Sequence, residues 1–140
     1  MLGIDTSEQG VIKLDIAVND GIYNIFCEGN NVVGIGDNKG SGNVTVSGGI
    51  FTIHNAASTE LPLGSKNGRT VIKGGSITSD SSTPIKAVSP YGDPLELKRI
   101  ETDGKLRTSI VFGGSEYTYS AEPSEGENFV NAYFPVGYRV

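Results

Sequence analysis

The feature that most constrains this chain is a phrase written three times. Gly21-Ile22-Tyr23-Asn24-Ile25 superposes on Gly49-Ile50-Phe51-Thr52-Ile53, and that on Gly75-Ser76-Ile77-Thr78-Ser79, at offsets of 28 and 26 residues. The preceding triplets, Ile16-Ala17-Val18, Val44-Thr45-Val46 and Thr70-Val71-Ile72, fall in the same register. Val33, Ile35 and Gly36 match Leu61, Leu63 and Gly64 at an offset of 28. The third unit fades near "PIKAVSP". Recurrence at a period of this size signals stacked repeats in place of an irregular globular arrangement.

Within each unit the apolar residues alternate, which predicts short strands. Ile12, Leu14, Ile16 and Val18 alternate with Lys13, Asp15, Ala17 and Asn19, and "NDG" then marks a turn. Further strands are predicted at Ile22 to Phe26, Val44 to Val46, Ile50 to Ile53, Val71 to Ile72 and Ile77. No window carries apolar residues at helical spacing free of Gly, Pro or β-branched interruption. The 20 glycines among 140 residues exceed average usage of roughly 7%, so turns are dense. In a β-solenoid the inward residues of one coil stack on those of the next, and glycine takes the corners where φ is positive. The repeat therefore predicts a short β-solenoid of about three coils, with each Gly-Gly at a corner. The competing arrangement is an antiparallel sandwich in which "SGG" and "KGG" close two-residue hairpins.

The second part of the chain is written differently. Eight of the 11 aromatic residues lie between Tyr91 and Tyr138. Strands are predicted at Leu95 to Ile100, Leu106 to Phe112, Tyr117 to Ala121 and Phe129 to Phe134, separated or flanked by the turn signals "YGDP", "TDGK", "FGGS" and "PSEGEN". A meander of these four strands would form a small antiparallel β-module over the open end of the solenoid, whose last strand edge and apolar face need covering. The expectation is an all-β chain of one domain and an appendage, with solenoid repeats over 1–88 and the capping module over 89–140.

Composition narrows the partners. A net charge of −5 with no Lys/Arg cluster argues against nucleic acid, which requires a concentrated positive patch, and against an anionic membrane surface. No run approaches the roughly 18 apolar residues of a membrane-spanning helix, and "MLGIDTSEQG" has neither a basic n-region nor an apolar h-region. The sequence reads either as a piece of a secreted protein or as a chain folded inside a cell. Cys27 is the only cysteine, so no intrachain disulfide forms, and it reads as a buried apolar thiol.

No catalytic constellation emerges, and neither a cofactor nor a metal is expected. His54 stands alone at a strand end and cannot by itself build a nucleophile–base pair. "GIGDNKGSG", Gly34 to Gly42, lacks the order of a phosphate loop and the helix that would follow it. Its Asp37 and Asn38 supply too few oxygens for a calcium site. The carboxylates of Asp93 with Glu96, Glu101 with Asp103, and Glu122, Glu125 and Glu127 lie in polar turns, where nothing would raise one pKa to make a general acid. Tyrosine is the better candidate. Tyr117 and Tyr119 share one strand face, and Tyr133 and Tyr138 close the chain. Exposed rings of this kind stack on sugar faces while their hydroxyls bond to sugar hydroxyls. The competing and favoured reading is that these rings, together with Phe112, Phe129 and Phe134, fill the core of the capping module, since aromatic rings dominate cores.

"GIGDNKGSGNVTVSGGIFTI", "RTVIKGGSIT", "PIKAVSPYGDPLEL" and "GENFVNAYFPVGYRV" together resemble the Gly-rich repeat regions of large bacterial cell-surface proteins, regions often described as carbohydrate-binding domain-containing. The resemblance covers roughly Gly21 to Val140. It departs from the pattern at Asp37, where such coils continue with glycine. It implies a non-enzymatic, extracellular or surface-displayed module that makes attachments through a glycan or other surface ligand. The alternative is a virion component, since phage fibres, spikes and capsid decoration proteins also use repetitive β-structure. That reading carries a homo-oligomer joined through the solenoid edges, a trimer for a virion part.

Overall fold

The computed structural model describes residues 2–4, 15–27, 32–37, 42–55, 59–81 and 83–139, and every regular element among them is a β-strand. The first nine strands are β1 (Leu2–Ile4), β2 (Ile16–Val18), β3 (Ile22–Cys27), β4 (Val32–Asp37), β5 (Val44–Val46), β6 (Ile50–Asn55), β7 (Thr59–Ser65), β8 (Thr70–Ile72) and β9 (Ser76–Ser79). Of the first alternating run, Ile12 to Leu14 lie outside the described residues.

These nine strands make three parallel sheets, ordered β2-β5-β8, β3-β6-β9 and β1-β4-β7. The register is the one legible in the text. Ile16 pairs with Val44 and Val44 with Thr70; Ile22 pairs with Ile50 and Ile50 with Ser76; Val33 pairs with Leu61 and Ile35 with Leu63. β1 precedes them, with Leu2 opposite Ile35. Strands consecutive in the chain thus belong to different sheets, and strands one repeat apart pair. Gly48 and Gly49 join β5 to β6 across two sheets, so Gly-Gly turns a corner and the hairpin arrangement is excluded.

Corner geometry explains the glycines. Gly21, Gly49 and Gly75 hold φ at 115°, 107° and 95°, a region open to glycine and strained for other residues. One residue earlier, a Cβ on Gly48 would lie 2.5 Å from the Asn19 carbonyl of the pass before. The backbones therefore approach too closely for any side chain there. At another corner, polar side chains repeat the stacking. Asp15 Oδ1 accepts the Asn43 N–H at 2.9 Å, and Asn43 Oδ1 accepts the Arg69 N–H at 3.0 Å. Each bond satisfies a turn amide that no strand ladder reaches.

Alternation sends one set of side chains inward in columns. Val18, Val46 and Ile72 form one, Ile25 and Ile53 another, and Ile35 and Leu63 a third, all buried. Tyr23 and Phe51 stack with centroids 5.0 Å apart and planes 12° from parallel. Cys27 is buried beside them in the core, as the sequence indicates.

After β9 the chain covers the last strands. Val88 bridges Val71 in parallel, donating its N–H to the Thr70 carbonyl and accepting that of Ile72. The remaining strands are β10 (Leu95–Glu101), β11 (Leu106–Phe112), β12 (Ser115–Ala121) and β13 (Phe129–Pro135). All four were legible as strands, but their pairing is not a meander. β11 pairs with β12 across Gly113-Gly114, and β10 pairs with β13, so one hairpin is nested inside the other pair. "TDGK" is therefore a crossing between two sheets, with the Thr102 N–H bonded to the Asn128 carbonyl. The physical reason is core formation: Tyr119 of β12 meets Phe134 of β13 edge-on at 5.2 Å, a contact between two sheets that a single flat meander could not make.

Because each inward residue is packed between its neighbours one pass away, Ile53→Ala is expected to lower stability by about 2–5 kcal/mol. The adjacent outward change Thr52→Ala should stay within about 0.5 kcal/mol. Urea unfolding of the two variants checks the assignment of faces.

Candidate functional site

The four candidate tyrosines do not form one surface. Tyr119 is 0% exposed. Its hydroxyl donates to the Gly75 carbonyl at 2.7 Å and accepts the Tyr133 N–H at 3.1 Å. It ties the last glycine corner to β13, and neither ring face is open to a sugar. Tyr117 packs against Tyr91, with centroids 6.2 Å apart, and its buried hydroxyl meets no partner among the described residues. Tyr138 is half-buried against Phe134 and directs its hydroxyl at the Ser109 carbonyl. Tyr133 is 6% exposed, yet it lines a groove.

Burial pushes the Tyr133 hydroxyl up to about 12. Burial does the same to Tyr117, with the nearby Asp93 charge adding to it, again to about 12. Tyr119 is raised further, chiefly by its burial. All three are neutral phenols at physiological pH, able to donate a hydrogen bond.

The other candidates are placed as follows. His54 stacks on Phe26 with centroids 4.7 Å apart and directs Nδ1 at Asp80 Oδ2, 3.4 Å away. Burial pushes the Cys27 thiol up, away from the thiolate form. Asp93 accepts the Ser89 hydroxyl at 3.2 Å, Glu96 lies 3.4 Å from Lys98 Nζ, and Glu101 lies 3.7 Å from Arg99 Nε. Asn38 lies outside the described residues, and the calcium reading of "GIGDNKGSG" with it. Among the described residues no three His, Cys, Asp or Glu side chains are grouped to hold a metal ion, and no helix is long and apolar enough to cross a membrane.

Two of the grooves among the described residues offer space for a ligand. The smaller, about 250 Å³, lies where the end of β9 meets β10 and β13. Ser79, Ser81, Thr83, Glu96 and Tyr133 line it, with Leu97 among its apolar residues. Ser79 Oγ accepts the Ser81 N–H and Ser81 Oγ the Thr83 N–H, which holds this hydroxyl row in place.

The larger groove, about 460 Å³, follows the corner between the first two sheets. Asp20, Gly21, Ser47, Gly48 and Gly49 face Lys105, Ser120 and Glu122 across it. The sequence directed attention to the Tyr-rich end and treated the glycine corner as scaffold alone. The corner stands beside a cleft because β12 is set against its last pass, and only the Lys105 and Glu122 turn positions hinted at charge there.

Two outcomes follow from these contacts. Tyr119→Phe leaves the Gly75 carbonyl and the Tyr133 N–H without that partner and should cost about 1–3 kcal/mol, whereas Tyr117→Phe removes a hydroxyl with no partner among the described residues and should be neutral or stabilising. In an alkaline titration of the wild type, the stability these phenols contribute is fully present below their ordinary value near 10. It should fall as pH rises towards about 12. Melting temperature followed alongside tyrosinate absorbance checks both.

Comparison with protein-family models, curated proteins and solved structures finds no match to this chain.

Proposed function

We propose that this chain is a short β-solenoid of about three coils, closed at one end by the antiparallel strands, and that it acts without catalysis as an extracellular attachment module that contacts glycans. The solenoid reading is supported by the in-register pairing of strands one repeat apart in all three parallel sheets. The observation that carries the glycan reading is the smaller groove. Tyr133, Ser79, Ser81, Thr83 and Glu96 line it, and Leu97 gives it apolar surface. Such a mixture suits a saccharide, whose rim is hydroxyl-rich and whose ring face is apolar. Of the four tyrosines put forward from the sequence, Tyr133 keeps the ligand-contact role; Tyr117, Tyr119 and Tyr138 hold the module together.

A glycan array tests this reading. The wild type is expected to bind a subset of glycans, and Tyr133→Phe combined with Glu96→Gln to weaken that binding about tenfold, ~1.4 kcal/mol, with melting unchanged. A blank wild-type array, or equal binding by the double variant, would sink the proposal.

A virion structural part is the second reading, and one observation favours it. Ile22 and Phe26 are 76% and 67% exposed and share the outer face of β3, an edge strand of its sheet. Exposed apolar residues grouped in this way mark contact surfaces. If copies assemble there, sedimentation should show an oligomer that Phe26→Ser disperses; a monomeric wild type removes this reading.

A further inference from the structure

The larger groove carries a distinct inference, because the protein contains its own example of a chain bound beside it. Gly21, Gly49 and Gly75 are equivalent corner residues, one from each pass. The Gly75 N–H donates to the carbonyl of Ser120 at 2.8 Å. Ser120 belongs to β12, which pairs with β11 and lies outside the parallel sheets, so an extended segment already lies against the third corner. The Gly21 N–H is met by its neighbour, Asp20 Oδ1, at 2.8 Å. Gly49 lines the groove, and among the described residues its N–H meets no acceptor. The second corner thus presents the donor that a peptide carbonyl satisfies at the third.

The surroundings define what kind of peptide fits. Among the described lining residues, Asp20 and Glu122 bring two carboxylates against the one ammonium of Lys105, and the whole chain carries −5, which favours a cationic partner. Ile22 and Ile50 supply apolar surface, and a groove of about 460 Å³ falls within the usual range for ligand sites, roughly 300–1,000 Å³. Side chains of an extended strand alternate in direction, so a segment with basic and apolar residues in alternation can offer one set to the carboxylates and the other to the isoleucines.

We propose that this corner groove binds an extended, basic peptide segment, one carbonyl of which accepts the Gly49 N–H while its lysine or arginine side chains pair with Asp20 and Glu122. Main-chain bonding of this type gives affinity, and flanking charges give selectivity. The site is separate from the Tyr133 groove and from the glycan contact assigned there.

The test uses the whole chain, amide NMR and a labelled short peptide of alternating valine and lysine. The Gly49 amide should be among the most shifted resonances, and the matching valine–glutamate peptide should bind at least about tenfold more weakly. Glu122→Lys, at an exposed position, should weaken the lysine peptide by a similar factor with melting unchanged. The proposal is overturned if the lysine peptide leaves Gly49 unmoved, if both peptides bind alike, or if Glu122→Lys binds as the wild type does. It is also overturned if a neutral oligosaccharide, and not the peptide, occupies this groove.

Discussion

Pass-to-pass backbone pairing is the constraint on which everything else in this molecule depends. Each strand finds its partner one repeat away, at 28 residues between the first two full passes and 26 between the second and third, apart from a register shift at the start of β4, where Val32 pairs with Thr59. A parallel ladder resists slip along its length, since moving a whole strand by one residue would exchange its inward and outward faces. The change from 28 to 26 is confined to one corner: six residues separate β4 from β5, and four separate β7 from β8. Length varies where no ladder has to be kept.

A stack of parallel strands leaves its last strands with unpaired amides and carbonyls, a template for pairing with other chains. Here the chain itself closes that edge. Val88 extends the sheet that ends in β8, Ser120 accepts from Gly75, and Asn131 bonds through its N–H to Ser76 Oγ and through Nδ2 to Thr78 Oγ1. Tyr119 lies at the centre of this closure. A tyrosine suits it because a large apolar ring fills the space between the two antiparallel pairs while one hydroxyl both donates and accepts.

The repetitive part was legible almost residue by residue. Glycines at 21, 49 and 75 marked corners and the alternating residues after them marked inward columns, because in a stacked fold the spatial neighbour lies at a constant distance along the text. The strands of the second part were legible from alternation and turn residues, but their partners were not. "TDGK" has the composition of a hairpin turn, yet it carries the chain between sheets, since burying Ile110, Tyr119 and Phe134 against one another outweighs pairing β10 with its sequence neighbour. The tyrosines posed the same difficulty. Composition placed them together, but whether a ring is a platform or a strut depends on what packs over it.

The sequence by itself determined the strand content, the register of the parallel sheets and the glycine corners, because backbone pairing between repeats is periodic and writes itself into the text. Only the tertiary structure decided that β10 joins β13, that Tyr119 is a strut while Tyr133 reaches a groove, and that the glycine corner borders the larger cleft. These features arise where the repeat stops and an aperiodic segment packs against it. Such contacts join residues as far apart as Gly75 and Tyr119, and no recurring spacing announces them.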